Sequence, residues 1–332
     1  MSSKPFSLRV VAVAGLLAAA TAAKDAKKPA MAGLQTPGVR VPFGSLTAEA
    51  ELKLEAAPAG VAFTTETLVT AGAKLHRFDA KSNKPGEAVS ALGNACGALV
   101  SALQAVWTMD CGSNALLKLE TKTSKVLAKA ETPSIRSTQG LAASTDSIWL
   151  LADDKTTLLR IDPANVTVVA GIRLPAACSA LLVAENALWV ACPASDKLLR
   201  IDPATNLVDK RIDVAGQPSA LVFGEGFIWV HTRKDGKVAQ IDPKTNKIAA
   251  TIDIGVPGAA ATMAFGDGSV WISMPEFPLT RIHAATAKVV QQFAGAGPGQ
   301  VFHGLNSVWL ANPETKTIHR FDPKRIAATL AE

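Results

Sequence analysis

A small group of residues near position 231 could support chemistry. His231 lies two residues after Trp229, and Arg233 and Asp235 follow it closely. An imidazole beside a cation and a carboxylate can exchange protons near neutral pH or bind a polar ligand. The other interpretation is a solvated histidine at the edge of a loop. Both interpretations remain open, and we treat the three polar residues as candidate binding residues.

Three further polar residues, Arg136, Glu276 and Asn312, are candidates for the same surface. They occupy predicted loops in other parts of the chain, and nothing in the spacing of the carboxylates selects a pair for acid–base catalysis. No two histidines have metal-ligand spacing, and no H-E-x-x-H, C-x-x-C, G-x-S-x-G or P-loop pattern occurs. We therefore assign no catalytic residue, no metal site and no cofactor.

The four cysteines predict two disulfides. Cys96 and Cys178 each lie 11 residues before a tryptophan, whereas Cys111 and Cys192 lie four and three residues after the same tryptophans. Residues placed symmetrically about a hairpin turn face each other at a Cα separation that a disulfide can bridge. We predict the pairs Cys96–Cys111 and Cys178–Cys192; the alternative is four buried thiols.

These residues belong to a repeat that accounts for most of the chain. Tripeptides similar to Ile-Asp-Pro recur at intervals of 39 to 42 residues, and each of the six tryptophans precedes one of them by 11 or 12 residues. The tripeptides begin at positions 78, 119, 161, 201, 241, 282 and 321. Seven copies of one structural unit are therefore expected.

Each copy has the pattern of four short β-strands. Runs of β-branched and apolar residues are separated by turns rich in Gly, Asp, Asn and Pro, without helical periodicity. A unit of about 40 residues cannot bury both faces of its sheet alone, so neighbouring sheets must pack together. We predict an all-β fold, a seven-bladed β-propeller of four-stranded blades, in preference to an open array or a solenoid. Loops after the second and fourth strands share one rim, where the candidate residues lie.

The repeat leaves two points open. Residues 324–330 repeat 247–252 and predict a C-terminal outer strand for blade 7, but 48–56 either adds outside that strand or replaces it. An arginine also recurs directly before the tripeptides, and Arg160, for example, shares a strand face with Asp162. Such pairs are either structural or part of a basic belt for an anionic partner.

The last copy carries a family resemblance. Residues 309–312 (WLAN) and 317–323 (TIHRFDP) resemble the YVTN-type propeller repeat, and the pattern over about 60–332 is similar to the streptogramin-lyase-like (virginiamycin B lyase-like) and quinoprotein-amine-dehydrogenase-β-like groups. The resemblance implies the propeller fold and leaves function open, because propellers host many activities. We expect a binding or scaffold protein with a small ligand or a protein partner. A lyase-like or hydrolytic enzyme and an accessory subunit of a periplasmic redox enzyme are the alternatives.

The N-terminal segment predicts export. Residues 1–23 contain Lys4 and Arg9, an apolar run of 11 residues and small residues suited to cleavage, as in a secretory signal peptide. Residues 24–47 are expected to be a flexible tether before a propeller over 48–332. A net charge of +6 without a basic run indicates no nucleic-acid partner, and no other stretch predicts a membrane span. We expect a monomer in the periplasm or outside the cell.

Overall fold

The structure is a computed structural model that describes residues 33–90, 92–133, 139–152, 155–297 and 299–329. The predicted signal peptide therefore lies outside the described residues. The first described elements are two short strands, β1 (Arg40–Pro42) and β2 (Ala50–Lys53), with a 3-10 helix (Phe43–Ser45) between them.

Five four-stranded blades follow, and in each blade the strands lie in the sheet in chain order. Blade 1 contains β3 (Pro58–Phe63), β4 (Glu66–Ala71), β5 (Lys74–Asp79) and β6 (Val89–Ser90). Blade 2 contains β7 (Ala95–Ala102), β8 (Ala105–Asp110), β9 (Ala115–Glu120) and β10 (Val126–Glu131). Blade 3 contains β11 (Leu141–Ala143), β12 (Ile148–Ala152), β13 (Thr157–Asp162) and β14 (Thr167–Arg173). Blade 4 contains β15 (Ala180–Ala184), β16 (Ala187–Cys192), β17 (Lys197–Asp202) and β18 (Leu207–Asp213), with a 3-10 helix (Pro193–Ser195) after β16. Blade 5 contains β19 (Pro218–Gly224), β20 (Phe227–Thr232), β21 (Lys237–Asp242) and β22 (Lys247–Asp253).

The last two blades recruit the N-terminal strands. Blade 6 contains β23 (Thr262–Gly266), β24 (Ser269–Met274), β25 (Phe277–His283) and β26 (Lys288–Ala294), and β1 pairs in parallel with β26 as a fifth strand. Blade 7 contains β27 (Gln300–Gly304), β28 (Ser307–Asn312) and β29 (Thr317–Phe321), and β2 supplies its outer strand by pairing antiparallel with β29. The inner strands of blades 7 and 1 are in contact, so the predicted seven-bladed propeller is confirmed.

The C-terminal segment does not form the outer strand that its likeness to blade 5 predicts. It forms a short helix, α1 (Pro323–Ala328), and the Asp322 side chain caps that helix by accepting a hydrogen bond from Lys324 N. Val41, in the segment predicted to be a tether, is 1% exposed against blade 6. Within the described ranges, no helix has the length and apolar character needed to cross a bilayer.

The second strand of each blade forms the core of the propeller, because nearly all of its residues are buried. Trp189, at the middle of β16, is fully buried, and its indole nitrogen donates to Ala184 O at 3.0 Å. The ring packs with Ile228 and Val230 of the next blade. Each repeat tryptophan thus fills the space between two sheets while its one polar atom is satisfied.

The recurrent arginines join neighbouring blades. Arg160 Nη1 donates to Pro203 O in the next blade at 2.8 Å, and Arg320 Nη1 donates to Ala80 O at 2.8 Å, which ties blade 7 to blade 1. Asp162 instead accepts hydrogen bonds within its own turn. These contacts support the structural interpretation of the recurrent arginines.

Candidate functional site

Two disulfides lie at the rim formed by the loops after the second and fourth strands. Cys96 and Cys111 are bonded with Cα atoms 5.9 Å apart, and Cys178 and Cys192 with Cα atoms 3.9 Å apart. Both predicted pairs are confirmed. Cys96 lies near the start of β7 and Cys111 directly follows β8, whereas Cys178 precedes β15 and Cys192 ends β16. Each bond therefore joins the start of the inner strand to the end of the second strand of the same blade, at this rim.

Carboxylates make further connections between the same loops. Asp110 accepts from Asn94 N at 2.8 Å, from Gly112 N at 2.9 Å and from Ser113 Oγ at 2.6 Å. Burial acts to raise the pKa of Asp110, but the hydrogen bonds from Ser113, Asn94 and Gly112 outweigh it and hold the pKa below its ordinary value. This carboxylate therefore stays ionised, and its hydrogen bonds hold the loop before β7 and the loop after β8 together at the rim.

His231 lies inside β20 and is fully buried. The interpretation of His231 as a solvated histidine at a loop edge is wrong, because residues two apart on a strand share a face and His231 follows the buried Trp229. Nδ1 lies 2.8 Å from Ser219 Oγ, whereas Nε2 has no hydrogen-bond partner among the described residues. Burial, with a smaller contribution from the charge of Arg233, lowers the pKa of His231 to about 4. The imidazole is therefore neutral at pH 7.

Arg233 and Asp235 lie in the loop between β20 and β21 and are exposed. Arg233 Nε donates to Gly258 O at 3.1 Å, which connects this loop to the segment that leads into blade 6. Asp235 lies against Gly216, where a Cβ atom would approach Oδ2 to 2.5 Å. Gly216 has φ +94°, so this close approach requires glycine. The two side chains are accessible, but they lie on a loop already fixed to its neighbours.

The remaining candidates occupy the same rim on other blades. Glu276 is exposed in the turn between β24 and β25, and its backbone oxygen accepts from Gly295 N at 3.0 Å. Asn312 Oδ1 accepts from Glu314 N at 2.9 Å and from Thr315 N at 3.2 Å, so this side chain shapes its own loop. Arg136 lies outside the described residues.

One rim contact was missed by the sequence interpretation. Gln139, before β11, donates through Nε2 to Ala261 O at 3.3 Å, although the two residues belong to blades 3 and 6. The corresponding residues of the next two blades are Ser179 and Ser219, whose side chains are shorter. The long amide side chain of Gln139, at a repeat position that holds serine in the next two blades, is the feature of the sequence that could have indicated a contact between non-adjacent blades.

The described residues offer no donor set for a metal ion, since no group of three or more His, Cys, Asp or Glu side chains converges within them. The rim instead presents exposed charged groups on loops that hydrogen bonds and disulfides hold. This arrangement can bind a partner by polar contacts without reorganising its backbone.

Fold and rim together define a seven-bladed propeller with a disulfide-fixed loop surface, and the comparisons with known proteins agree with the fold. The sequence model of the glutamine cyclotransferase family matches residues 108–264, from blade 2 to the start of blade 6. No curated protein sequence matches the chain.

Solved lyase structures have a similar fold. A streptogramin B lyase is similar with a TM-score of 0.70 and 19% identity, over 82% of this chain and 96% of the lyase. Virginiamycin B lyase from Staphylococcus aureus is similar with a TM-score of 0.69 and 17% identity, over 82% of this chain and 98% of the lyase. A catalytically inactive histidine-to-alanine variant of that lyase, with quinupristin, gives the same values. At these identities the likeness concerns the fold alone.

Proposed function

We propose that this protein is an exported binding protein that takes a small ligand or a protein partner on the disulfide-fixed rim. The observation that carries the proposal is the fixation of this rim by Cys96–Cys111 and Cys178–Cys192. Loops that are held before binding lose less conformational entropy when a partner arrives. Arg233, Asp235 and Glu276 then supply exposed charge of both signs to the surface.

Export agrees with the disulfides. Such bonds form and persist in oxidising compartments, which include the bacterial periplasm and the extracellular space. We propose that residues 1–23 are removed as a signal peptide and that the mature protein acts there as a monomer. Sequencing the N-terminus of the secreted protein tests the first part, and a start near residue 24 is expected.

The binding proposal is tested with two charge reversals on one blade. Arg233→Glu changes the proposed rim, whereas Lys244→Glu changes an exposed residue in the turn at the opposite rim. Partners are captured from a periplasmic extract by the wild-type protein and by both variants, and are identified by mass spectrometry. We expect Arg233→Glu to lose a partner that Lys244→Glu retains. Identical capture by all three proteins would contradict the use of this rim.

A catalytic function is the second candidate, because the family match and the solved neighbours are both named as enzymes. The purified protein is incubated with quinupristin and, separately, with a peptide that begins with glutamine. Loss of intact quinupristin, or release of ammonia as the glutaminyl residue cyclises, above a heat-inactivated control would favour an enzyme over a binding protein. The burial of His231 argues against this residue as the base in such a reaction.

A further inference from the structure

A second feature of the molecule lies at the opposite rim and concerns the recurrent arginines. In five blades the cross-strand partner of the repeat tryptophan, or of Leu68 in blade 1, is an arginine. In four of these blades an acceptor two positions before the tryptophan or Leu68 bonds the guanidinium. The acceptors are Glu66 for Arg77, Ser147 for Arg160, Ser269 for Arg281 and Ser307 for Arg320.

Blade 4 breaks this pairing. Arg200 is present, but the acceptor position holds Ala187. Arg200 Nη1 lies 3.4 Å from Asn246 Oδ1 and 3.6 Å from Asp209 Oδ2, whereas Nε and Nη2 have no hydrogen-bond partner in the described part of the chain. Blades 2 and 5 also lack the acceptor, but they carry Lys118 and Gln240 in place of the arginine. Among the described residues, an arginine at this repeat position without that acceptor therefore occurs in blade 4 alone.

The unpaired edge opens into a cleft. Arg160 shows how these guanidinium groups are oriented, since its Nη1 also lies 3.4 Å from an asparagine of the next blade and its Nε faces Ser147. Arg200 makes the equivalent contact with Asn246, and its Cζ atom lies 5.7 Å from the centroid of the Trp189 ring. By analogy with Arg160, the Nε edge of Arg200 therefore faces Ala187. A cleft of about 560 Å³ lies there. Its lining residues are Asn186, Ala187, Arg200, Asp202, Thr205, Leu207, Val208 and Asp209.

The chemistry of the cleft selects its ligand. The parallel Nε and Nη2 donors of a guanidinium match the two oxygens of a carboxylate. Two aspartates line the same cleft. Asp209 Oδ1 lies 3.0 Å from Lys210 Nζ, and the Asp202 carboxylate accepts hydrogen bonds from Ala204 and Thr205 of its own turn. Backbone hydrogen bonds, first from Ala204, lower the pKa of Asp202, so it is negative at pH 7. A ligand with several negative charges would be repelled, whereas a positive group next to the carboxylate would be attracted.

We propose that this cleft of blade 4 binds a small zwitterion, of which a free α-amino acid is the simplest, with its carboxylate on Nε and Nη2 of Arg200 and its ammonium group towards Asp202. Asn186 also lines the cleft, and its amide carries both a donor and an acceptor. Nothing in this proposal depends on the function of the disulfide-fixed rim.

The test follows the Nε–H signal of Arg200 by nuclear magnetic resonance, assigned through its disappearance in Arg200→Lys. The intact secreted protein, with its disulfides formed, is titrated with L-alanine, acetate and sulfate. We expect a saturable shift with L-alanine and binding at least about tenfold weaker with acetate and sulfate, because each lacks the ammonium group. Sulfate binding as tight as that of L-alanine would overturn the proposal, since it would show that Arg200 attracts any anion through its positive charge alone.

Two variants separate the cleft from general charge. Ala187→Ser restores the hydroxyl found in blades 3, 6 and 7, and we expect it to weaken L-alanine binding at least about tenfold while the melting temperature is kept. Ser147→Ala makes the opposite change in blade 3 and should leave the Arg200 signal and its response unchanged. Arg200→Lys keeps the charge but removes the paired donors, and saturation measured by calorimetry should be lost. Wild-type affinity in Ala187→Ser or Arg200→Lys would contradict the assignment.

Discussion

His231 is a buried neutral imidazole at a position where other blades carry small or apolar residues. Its Nδ1 is satisfied by Ser219, and its protonation would place a charge inside the sheet. Folding therefore disfavours protonation of His231, so this residue contributes a pH-dependent part of the free energy of unfolding.

The first prediction concerns that dependence. The pKa of His231 falls from 6.5 to about 4 on folding, so the unfolded chain binds more protons between these values. The contribution of neutral His231 to stability is therefore complete above the pKa of the unfolded chain. It decreases as the pH falls towards the pKa of the folded protein. When the pH is lowered from 7 to 4.5, we expect the free energy of unfolding of the wild-type protein to fall by roughly 2–3 kcal/mol more than that of His231→Gln.

Urea denaturation of both proteins at the two pH values measures this difference. Carboxylates titrate in both proteins, so their contribution cancels in the comparison. Equal losses of unfolding free energy would show that His231 is hydrated in solution.

For the candidate site, the sequence predicts which rim the residues occupy better than it predicts the hydrogen bonds that they make. The repeat predicts Arg233, Glu276 and Asn312 on loops of one rim. In the structure Arg233 and Glu276 lie on such loops, whereas Asn312 is the last residue of β28 and borders its loop. The sequence could not show that Asn312 accepts from its own loop, because that depends on local backbone geometry. The burial of His231 was predictable, since strand alternation puts it on the face of Trp229.

At the scale of the strand, each repeat tryptophan is the largest buried group between two sheets. The second prediction is that Trp189→Ala lowers the free energy of unfolding by roughly 3–5 kcal/mol, because the cavity cannot collapse between two rigid sheets. Trp189→Phe retains most of the buried ring and should lose less. Urea denaturation measures both, and a loss under about 1 kcal/mol for the alanine variant would contradict tight packing at this position.

The disulfides act on the hairpin of the first two strands. The Cys178–Cys192 bond closes a loop of 14 residues, and the chain-entropy model gives its removal a cost of roughly 3 kcal/mol. The third prediction is this loss for the double variant Cys178→Ser and Cys192→Ser, measured by urea denaturation. Under reducing conditions the wild-type protein should lose at least as much. An unchanged midpoint in the double variant would indicate that the hairpin needs no cross-link.

The sequence predicted the blade strands but not the fate of the C-terminus. After Asp242, blade 5 continues Pro-Lys-Thr-Asn, and Asn246 takes a φ of +57° that turns the chain into β22. After Asp322 the Thr-Asn pair is missing and Arg325 follows Pro-Lys directly. Without a residue suited to the left-handed region, proline at the first position continues into a helix. Residues 324–330 (KRIAATL) are similar to residues 247–252 (KIAATI), but the missing turn residues outweigh that similarity.

At the scale of the whole molecule, the ring is closed by strands from both ends of the sequence. Blade 7 takes its outer strand β2 from the N-terminus, and Leu52 of that strand is 3% exposed. Leu52 belongs to an apolar cluster that includes Val69 and Phe78 of blade 1 and Ile318 of blade 7. The same residues therefore complete a blade and join it to its neighbour, so the ring should unfold in a single transition.

The last prediction compares two leucines on outer strands. Leu52→Ala removes a buried side chain at the closure and should cost roughly 2–5 kcal/mol. Leu207→Ala makes the same chemical change on β18, where the side chain is 66% exposed, and should stay within about 0.5 kcal/mol of the wild-type protein. Urea denaturation followed by tryptophan fluorescence measures both variants, because tryptophans in six blades report on the whole ring. Equal effects of the two substitutions would mean that β2 is not docked in solution. A second transition in Leu52→Ala would mean that blade 7 opens before the other blades unfold.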